Sequence, residues 1–138
     1  MYAQLRFVTE LPIAGGECMG SVEQFQEWVD SGAFDVLQPG ANKAGIQEIC
    51  AIATLANDKH LDLVLHNWTH DVCNAANVQI GAALRNCSMV EFNVTHNPLR
   101  SKLVHESFSP IKGYFVMNDK PGLGVELNDD VVNQYSYQ

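Results

Sequence analysis

The chain has 138 residues, of which 46% are hydrophobic, so it is long enough for one domain with a buried core. Acidic residues outnumber basic ones by 16 to 8, for a net charge of −8. Because the basic residues are scattered, we expect neither a phosphate-facing basic patch nor nucleic-acid binding. No apolar run approaches the roughly 20 residues of a membrane span, and no signal-peptide pattern begins the sequence. A cytoplasmic protein without membrane partners is therefore expected.

The first part of the chain predicts a helix, a strand and a second helix. Met1–Thr9 carries scattered apolar residues typical of a helix that leads into a strand. The strand follows in Leu11–Glu17 and ends on Glu17 after two glycines that permit a tight turn. Ser21-Val-Glu-Gln24 is a capping box that begins an amphipathic helix, which Ser31-Gly32 closes.

The same strand, loop and helix order then recurs. Phe34–Gly40 is a strand followed by a helix, and Leu61–Leu65 is a short buried strand that stops at His66 before a helix over Asp71–Leu84. Ser88–Glu91 is the next strand and ends on Glu91. Successive strand ends lie about 25 residues apart, the length of one βα unit. Four such units would gather their polar residues at the carboxyl edge of a parallel sheet, where α/β folds carry chemistry. A small open doubly wound sheet remains an alternative, because periodicity does not separate the two arrangements.

Beyond Glu91 the pattern changes. Asn97-Pro98 marks a break, Leu99–Ser109 predicts one short helix, and Asn128-Asp-Asp130 predicts the cap of a last helical turn. Ile111–Met117 and Leu123–Leu127 predict two strands joined by a turn. We therefore divide the chain into a domain of four βα units, residues 1–97, and a carboxyl-terminal extension, residues 98–138.

Four motifs carry a family resemblance through their order and spacing: Pro12-Ile-Ala-Gly-Gly-Glu17, Gln38-Pro-Gly-Ala-Asn-Lys-Ala-Gly45, Leu65-His-Asn-Trp68 and Pro121-Gly-Leu-Gly-Val-Glu126. Together they resemble the carboxyl-terminal half of the enolase superfamily barrel, in the mandelate racemase and muconate lactonising group. Many members of that group are acid-sugar dehydratases. The resemblance implies α/β architecture, namely half of a (β/α)8 TIM barrel (strands five to eight with their helices) plus a carboxyl-terminal strand or hairpin extension.

The resemblance also assigns roles. Glu17 matches a carboxylate that binds Mg²⁺, His66 matches a general base or acid, and Glu91 matches a residue that hydrogen-bonds the developing enediolate. Each residue type suits its role: a hard cation prefers carboxylate oxygens, imidazole exchanges protons near neutral pH, and a protonated carboxyl group can donate to an oxyanion. The implied substrate is a small carboxylate such as an acid sugar, and the implied reaction is dehydration or racemisation after α-proton abstraction.

One site residue departs from the family pattern. Gly40 stands where the pattern has an Asp that orients the histidine, or a Lys in lactonising and epimerising relatives. Lys43 matches a common loop lysine and is not assigned as a base. Asp71 is a candidate partner of His66 or His70. If the site works, restoring Asp at position 40 is expected to raise α-proton exchange.

The length is the larger departure. A complete barrel needs about 250 residues, so the first four strands and two metal carboxylates of the pattern are absent from this sequence. We expect a fragment that is inactive on its own and that forms a homo-oligomer or pairs with a chain supplying the missing half. The alternatives are a non-catalytic remnant or interaction module of the same fold, and a zinc-binding domain using the H-x-x-x-H spacing of His66 and His70.

The four cysteines show no C-x-x-C spacing, and two of them fall on apolar helix faces. This pattern predicts reduced core cysteines in a cytoplasmic protein.

Overall fold

The computed structural model of the chain describes residues 1–106 and 109–137. Over these residues helices and strands alternate through the first two thirds of the chain, as the sequence predicts. The elements are α1 (Tyr2–Val8), β1 (Ala14–Gly15), α2 (Val22–Asp30), β2 (Val36–Leu37), α3 (Gly45–Asp58), β3 (Asp62–Leu65), α4 (Asp71–Ala83), β4 (Cys87–Val90), α5 (Pro98–Ser101) and α6 (Asp129–Tyr135). In the described residues, no helix is both long and apolar enough to span a membrane.

The four strands form one parallel sheet in the order β1-β2-β3-β4. This sequential order has no point at which the winding reverses, and such a reversal defines a doubly wound sheet. The doubly wound alternative is therefore wrong. Since every strand runs in the same direction, all four carboxyl ends lie along one edge of the sheet, which is where the predicted site residues follow the strands.

The hydrophobic core lies between the sheet and the helices. Alternate strand residues point toward the helices, and Leu37, Leu63 and Leu65 are fully buried there. Phe25 of α2 and Phe34 pack in the same cluster with apolar residues of α3. The glycines at positions 15 and 16 lie against these two rings, so that a Cβ atom at either position would overlap an aromatic side chain. The glycine pair is thus required for close packing as well as for the turn before Glu17.

The cysteine expectation is only partly correct. All four cysteines are free thiols, and Cys73 is buried as expected. Cys87 is half-buried, whereas Cys18 and Cys50 are exposed. Cys50 lies on the solvent side of α3 because Ile49, Ile52 and Ala53 take the core-facing positions of that helix.

The extension does not form the predicted pair of strands. Ile111 pairs with Tyr114 across a tight turn, and Val104 forms an isolated antiparallel bridge with Leu127. The positive φ angle of Lys112, 52°, reverses the chain immediately after Ile111, so this segment does not continue as a strand. The short helix predicted within Leu99–Ser109 is confirmed only as α5, and residues 107–108 of that prediction lie outside the described part. The last helix, α6, is confirmed.

Asp71 joins α4 to the extension. Its side chain is buried at the first turn of the helix. Burial raises the pKa of Asp71 to about 6, against the opposing effects of the Leu103 and Val104 backbone N–H groups and of Arg100. The suggestion that Asp71 partners His66 or His70 is therefore wrong, because its partners lie on the extension.

Replacing Asp71 by Asn is expected to stabilise the chain at high pH. The pKa of Asp71 is higher in the folded chain than its ordinary 3.8, so the parent loses stability as the pH rises from about 4 to 6, while Asn stays neutral. The shift corresponds to a gain of about 3 kcal/mol at pH 8 and about half of that at pH 5. Urea unfolding at both pH values measures it, with Asp119→Asn, at an exposed turn, as the control. A gain that does not depend on pH would contradict the assignment.

Candidate active site

The carboxyl edge of the sheet brings the three predicted site residues together. Nδ1 of His66 lies 2.6 Å from Oε2 of Glu91 and 3.7 Å from Oε2 of Glu17. All three residues line an open cleft of about 420 Å³. The remaining lining residues are Asn67, Trp68, Phe92 and Asn93. The geometry thus unites residues separated by up to 74 positions in the sequence, as expected for strand ends of a parallel sheet, while their chemical roles stay predictions.

Glu91 is the most highly connected side chain of the cleft. Its Oε1 accepts a hydrogen bond from Nε2 of Gln38 at 2.7 Å, and its Oε2 accepts one from the backbone N–H of Asn67 at 3.2 Å. Nδ1 of His66 also lies at hydrogen-bond distance from Oε2. Both carboxylate oxygens are therefore engaged by the protein, and Glu91 is held in place by residues from β2 and β3 ends.

A buried asparagine fixes the backbone under His66. Nδ2 of Asn77 donates to the carbonyl oxygen of His66 at 2.9 Å, while its Oδ1 accepts from the N–H of Ala41 at 3.1 Å. The N–H of His66 donates to the carbonyl oxygen of Pro39. The sequence pattern of this helix, in which Asn77 stands among alanines and other apolar residues, does not predict this role. An Asn in an Ala-rich stripe was the available signal, because a buried amide needs hydrogen-bond partners.

Gly40 is packed against this same backbone. A Cβ atom at position 40 would lie 2.8 Å from the carbonyl oxygen of His66 and 2.8 Å from Oδ1 of Asn42. The loop therefore passes too close to His66 to carry a side chain. An Asp at this position does not fit the observed backbone, so the expectation that it would simply restore a partner for the imidazole has no geometric support.

The other residues considered from the sequence make no hydrogen bond to His66 or Glu91 in the described structure. Lys43 is exposed and does not line the cleft. Trp68 lines the cleft and is 65% exposed. His70 caps α4, and its Nδ1 accepts from the backbone N–H of Cys73 at 3.4 Å. This hydrogen bond occupies the nitrogen, and the described residues hold no group of three His, Cys, Asp or Glu side chains arranged for a metal. The zinc alternative therefore lacks a ligand set.

Among the described residues, magnesium also lacks a ligand set. Mg²⁺ prefers octahedral oxygen coordination, with carboxylates supplemented by substrate and water. Glu17, with its side chain 59% exposed and 3.7 Å from Nδ1 of His66, is a carboxylate of the cleft without a hydrogen bond among the described residues, whereas both oxygens of Glu91 already accept hydrogen bonds. One free carboxylate does not make a magnesium site, so the residues present do not fit the ion by themselves.

Comparison with known proteins places these observations in a family. A family model described as enolase C-terminal domain-like matches residues 1–131. D-galactarolactone cycloisomerase of Agrobacterium fabrum is 34% identical, over 97% of this chain and 38% of that protein. Arabinonate dehydratase of Saccharolobus solfataricus is 31% identical, over 96% of this chain and 36% of that protein.

A solved structure shares the fold. The 3,6-anhydro-D-galactonate cycloisomerase from Zobellia galactanivorans superposes with a TM-score of 0.89 at 33% identity, covering 97% of this chain and 38% of that one. The chain thus spans less than two fifths of the length of these relatives. The family match nevertheless extends over almost the whole chain. The chain belongs to the enolase superfamily, in the group of mandelate racemase-like proteins, acid-sugar dehydratases and cycloisomerases.

Proposed function

We propose that this chain is the carboxyl-terminal half of a (β/α)8 barrel and supplies the proton-transfer residue of an enzyme that abstracts the α-proton of a small acid sugar. The sequential parallel order of β1 to β4 supports the half barrel, since four consecutive barrel strands pair in that way. The fraction of the relatives that the chain covers supports it as well. In this proposal residues 1–97 form the barrel half and residues 98–138 form the closing extension.

The observation that carries the proposal is the hydrogen-bonded contact of His66 with Glu91 at the wall of the cleft. An imidazole anchored through one ring nitrogen keeps the other free to take or return a proton near neutral pH. A dehydratase or racemase of a carboxylate substrate requires that step. The names of the relatives, which act on galactarolactone and arabinonate, favour an acid sugar as the substrate class.

The cleft is lined by negatively charged side chains and has no cation to bind a carboxylate substrate among the described residues. Glu17 and Glu91 both line it, and no Lys or Arg does among the described residues, so a carboxylate substrate would be repelled. Mg²⁺ is the cofactor that family membership implies, and Glu17 would bind it once further carboxylates join from outside this chain. We therefore propose that the isolated chain is inactive.

The missing half is proposed to bind at the open edges of the sheet. Strands β1 and β4 each have one edge without a partner strand in the described structure. Close to the β4 edge, Met89 is 64% exposed and Tyr114 is 77% exposed. A second copy or a complementary chain would cover this surface. Sedimentation of the purified chain tests the point, because a monodisperse monomer at every concentration would contradict self-association.

A cytoplasmic location is part of the proposal. Cys18 and Cys50 are exposed free thiols, which suits a reducing compartment.

The second candidate is a non-catalytic remnant or interaction module of the same fold. The lack of space for a side chain at position 40 favours it, as does the cleft's having only Glu17 as a mostly exposed carboxylate among the described residues. This candidate predicts the same fold and association but no proton transfer under any condition.

Exchange of the substrate α-proton in D₂O, followed by ¹H NMR, separates the two candidates. The assay contains Mg²⁺ and the acid sugars of the relatives, with this chain alone and with the part of the cycloisomerase relative that this chain does not match. We call that mixture the complemented assembly. Exchange in the complemented assembly, but in neither part alone, would support the enzyme half. Stable assembly without exchange would support the remnant.

A further inference from the structure

The cleft contains one carboxylate that can take the place of the missing Asp beside the histidine. Position 40 has no room for a side chain. Glu17 lies 3.7 Å from Nδ1 of His66 and is mostly exposed, whereas Glu91 lies 2.6 Å away. Among these residues, only Glu91 is at hydrogen-bond distance from the imidazole.

The other contacts of Glu91 favour one direction for that hydrogen bond. The backbone N–H of Asn67 donates to Oε2, and the carboxamide of Gln38 donates to Oε1. A neutral carboxyl group carries a hydrogen on one of these oxygens and is the weaker acceptor, whereas each oxygen here already faces a protein donor. An ionised carboxylate accepts from all three donors. The contacts with His66, at 2.6 Å, and with Gln38, at 2.7 Å, have the short distances of charge-assisted hydrogen bonds.

We infer that Glu91 is an ionised positioning residue that accepts the Nδ1 hydrogen of His66, in a chain from Gln38 through Glu91 to His66. It is therefore not the neutral hydrogen-bond donor that the family resemblance implied. Gln38 becomes a second positioning residue, because it holds the oxygen of Glu91 that His66 does not use. With Nδ1 engaged, Nε2 is the ring nitrogen left to exchange a proton; this last step rests on the proposed function.

Histidine ¹⁵N NMR on the purified full chain tests the inference without substrate. The readout is which ring nitrogen of His66 carries hydrogen at pH 8, with the signal assigned by its loss in His66→Gln. His70 is an internal reference of the opposite form, since its Nδ1 accepts a hydrogen bond and its hydrogen lies on Nε2. We expect hydrogen on Nδ1 of His66 in the parent.

Two variants, one at each carboxylate of the cleft, complete the test. Glu91→Leu removes the acceptor, and the ratio of the Nδ1–H to the Nε2–H form of His66 is expected to fall by about tenfold. Glu17→Gln changes the carboxylate that lies beyond hydrogen-bond distance and is expected to leave the ratio unchanged. An unchanged His70 signal shows that each variant is folded.

Two results would overturn the inference. One is the finding that Nδ1 of His66 carries no hydrogen in the parent, which would make Glu91 the donor. The other is an equal response of His66 to Glu17→Gln and Glu91→Leu. If Glu91→Leu does not fold, Gln38→Leu replaces it: this variant keeps the carboxylate, so the hydrogen must stay on Nδ1 and exchange faster with solvent. Because no turnover is measured, the result is independent of whether the proposed function fails in the exchange assay.

Discussion

Replacing His66 by Asn is expected to lower α-proton exchange by the complemented assembly by a factor of about 10³, in the middle of the range for loss of a general base. The imidazole lines the cleft and is held through Nδ1. Asn has comparable polarity but no nitrogen that accepts a proton at neutral pH. The side chain is only 14% exposed, so the smaller Asn leaves some space, and a control variant must separate an effect on folding from an effect on proton transfer. Initial rates of deuterium incorporation measure the effect.

His70→Asn is the matched control. His70 acts as the N-cap of α4 through its side chain, and Asn is among the best residues at that position. This variant is therefore expected to keep both the helix and the exchange rate. Equal losses in the two variants would show that the first acts through folding. Exchange retained in His66→Asn would contradict the role of His66 as the base.

The strand ends were predictable from the sequence because their pattern is local. Short apolar runs such as Leu61–Leu65 are followed by helices with clear apolar faces, and β3 and α4 form within one residue of the predicted bounds. In a parallel sheet this local information determines which edge carries the residues after each strand. The sequence alone therefore predicts that His66 and Glu91 lie close together at the carboxyl edge of the sheet.

The hydrogen-bond partners at the site were not predictable in the same way. Gln38 and Glu91 are 53 residues apart, and their contact depends on side-chain directions that periodicity does not define. Asn77 stands among the alanines of α4, and this apolar pattern does not reveal the hydrogen bonds that its side chain makes. Asp71 was considered as a partner of histidine because it is near in sequence, but its partners lie 32 and 33 residues further on, in an extension with weak periodicity. In each case tertiary packing decides the partner.

Position 40 is where the family pattern and the geometry give opposite expectations. From the pattern alone, Asp at this position supplies a partner for the histidine. In the structure the loop at Gly40 is fixed from both sides: the N–H of Ala41 binds Asn77, and Asn77 binds the carbonyl oxygen of His66. A side chain at position 40 would have to push these groups apart. The absence of a Cβ atom is thus part of how the His66 backbone is held.

Replacing Gly40 by Asp is accordingly expected to destabilise the chain by about 4 kcal/mol and not to restore proton transfer. About 2 kcal/mol comes from the overlap of Cβ with the His66 carbonyl oxygen and Oδ1 of Asn42. A further amount of about 2 kcal/mol comes from placing a carboxylate beside these two acceptor oxygens, which offer it no hydrogen. Urea unfolding of Gly40→Ala isolates the first contribution, and the difference between Ala and Asp gives the second.

Gly20→Ala is the control for this series, because it adds the same methyl group to a neighbouring loop. The new Cβ atom would lie 3.3 Å from the carbonyl oxygen of Lys43, a less severe contact than at position 40. This control is expected to cost less than Gly40→Ala. If Gly40→Asp is as stable as the parent and exchanges the α-proton faster in the complemented assembly, the loop can rearrange and the histidine prefers the partner of the family pattern. If it is destabilised and exchange falls, Gly40 and Glu91 act together: the glycine brings the loop against His66, and Glu91 supplies the carboxylate that the loop cannot carry.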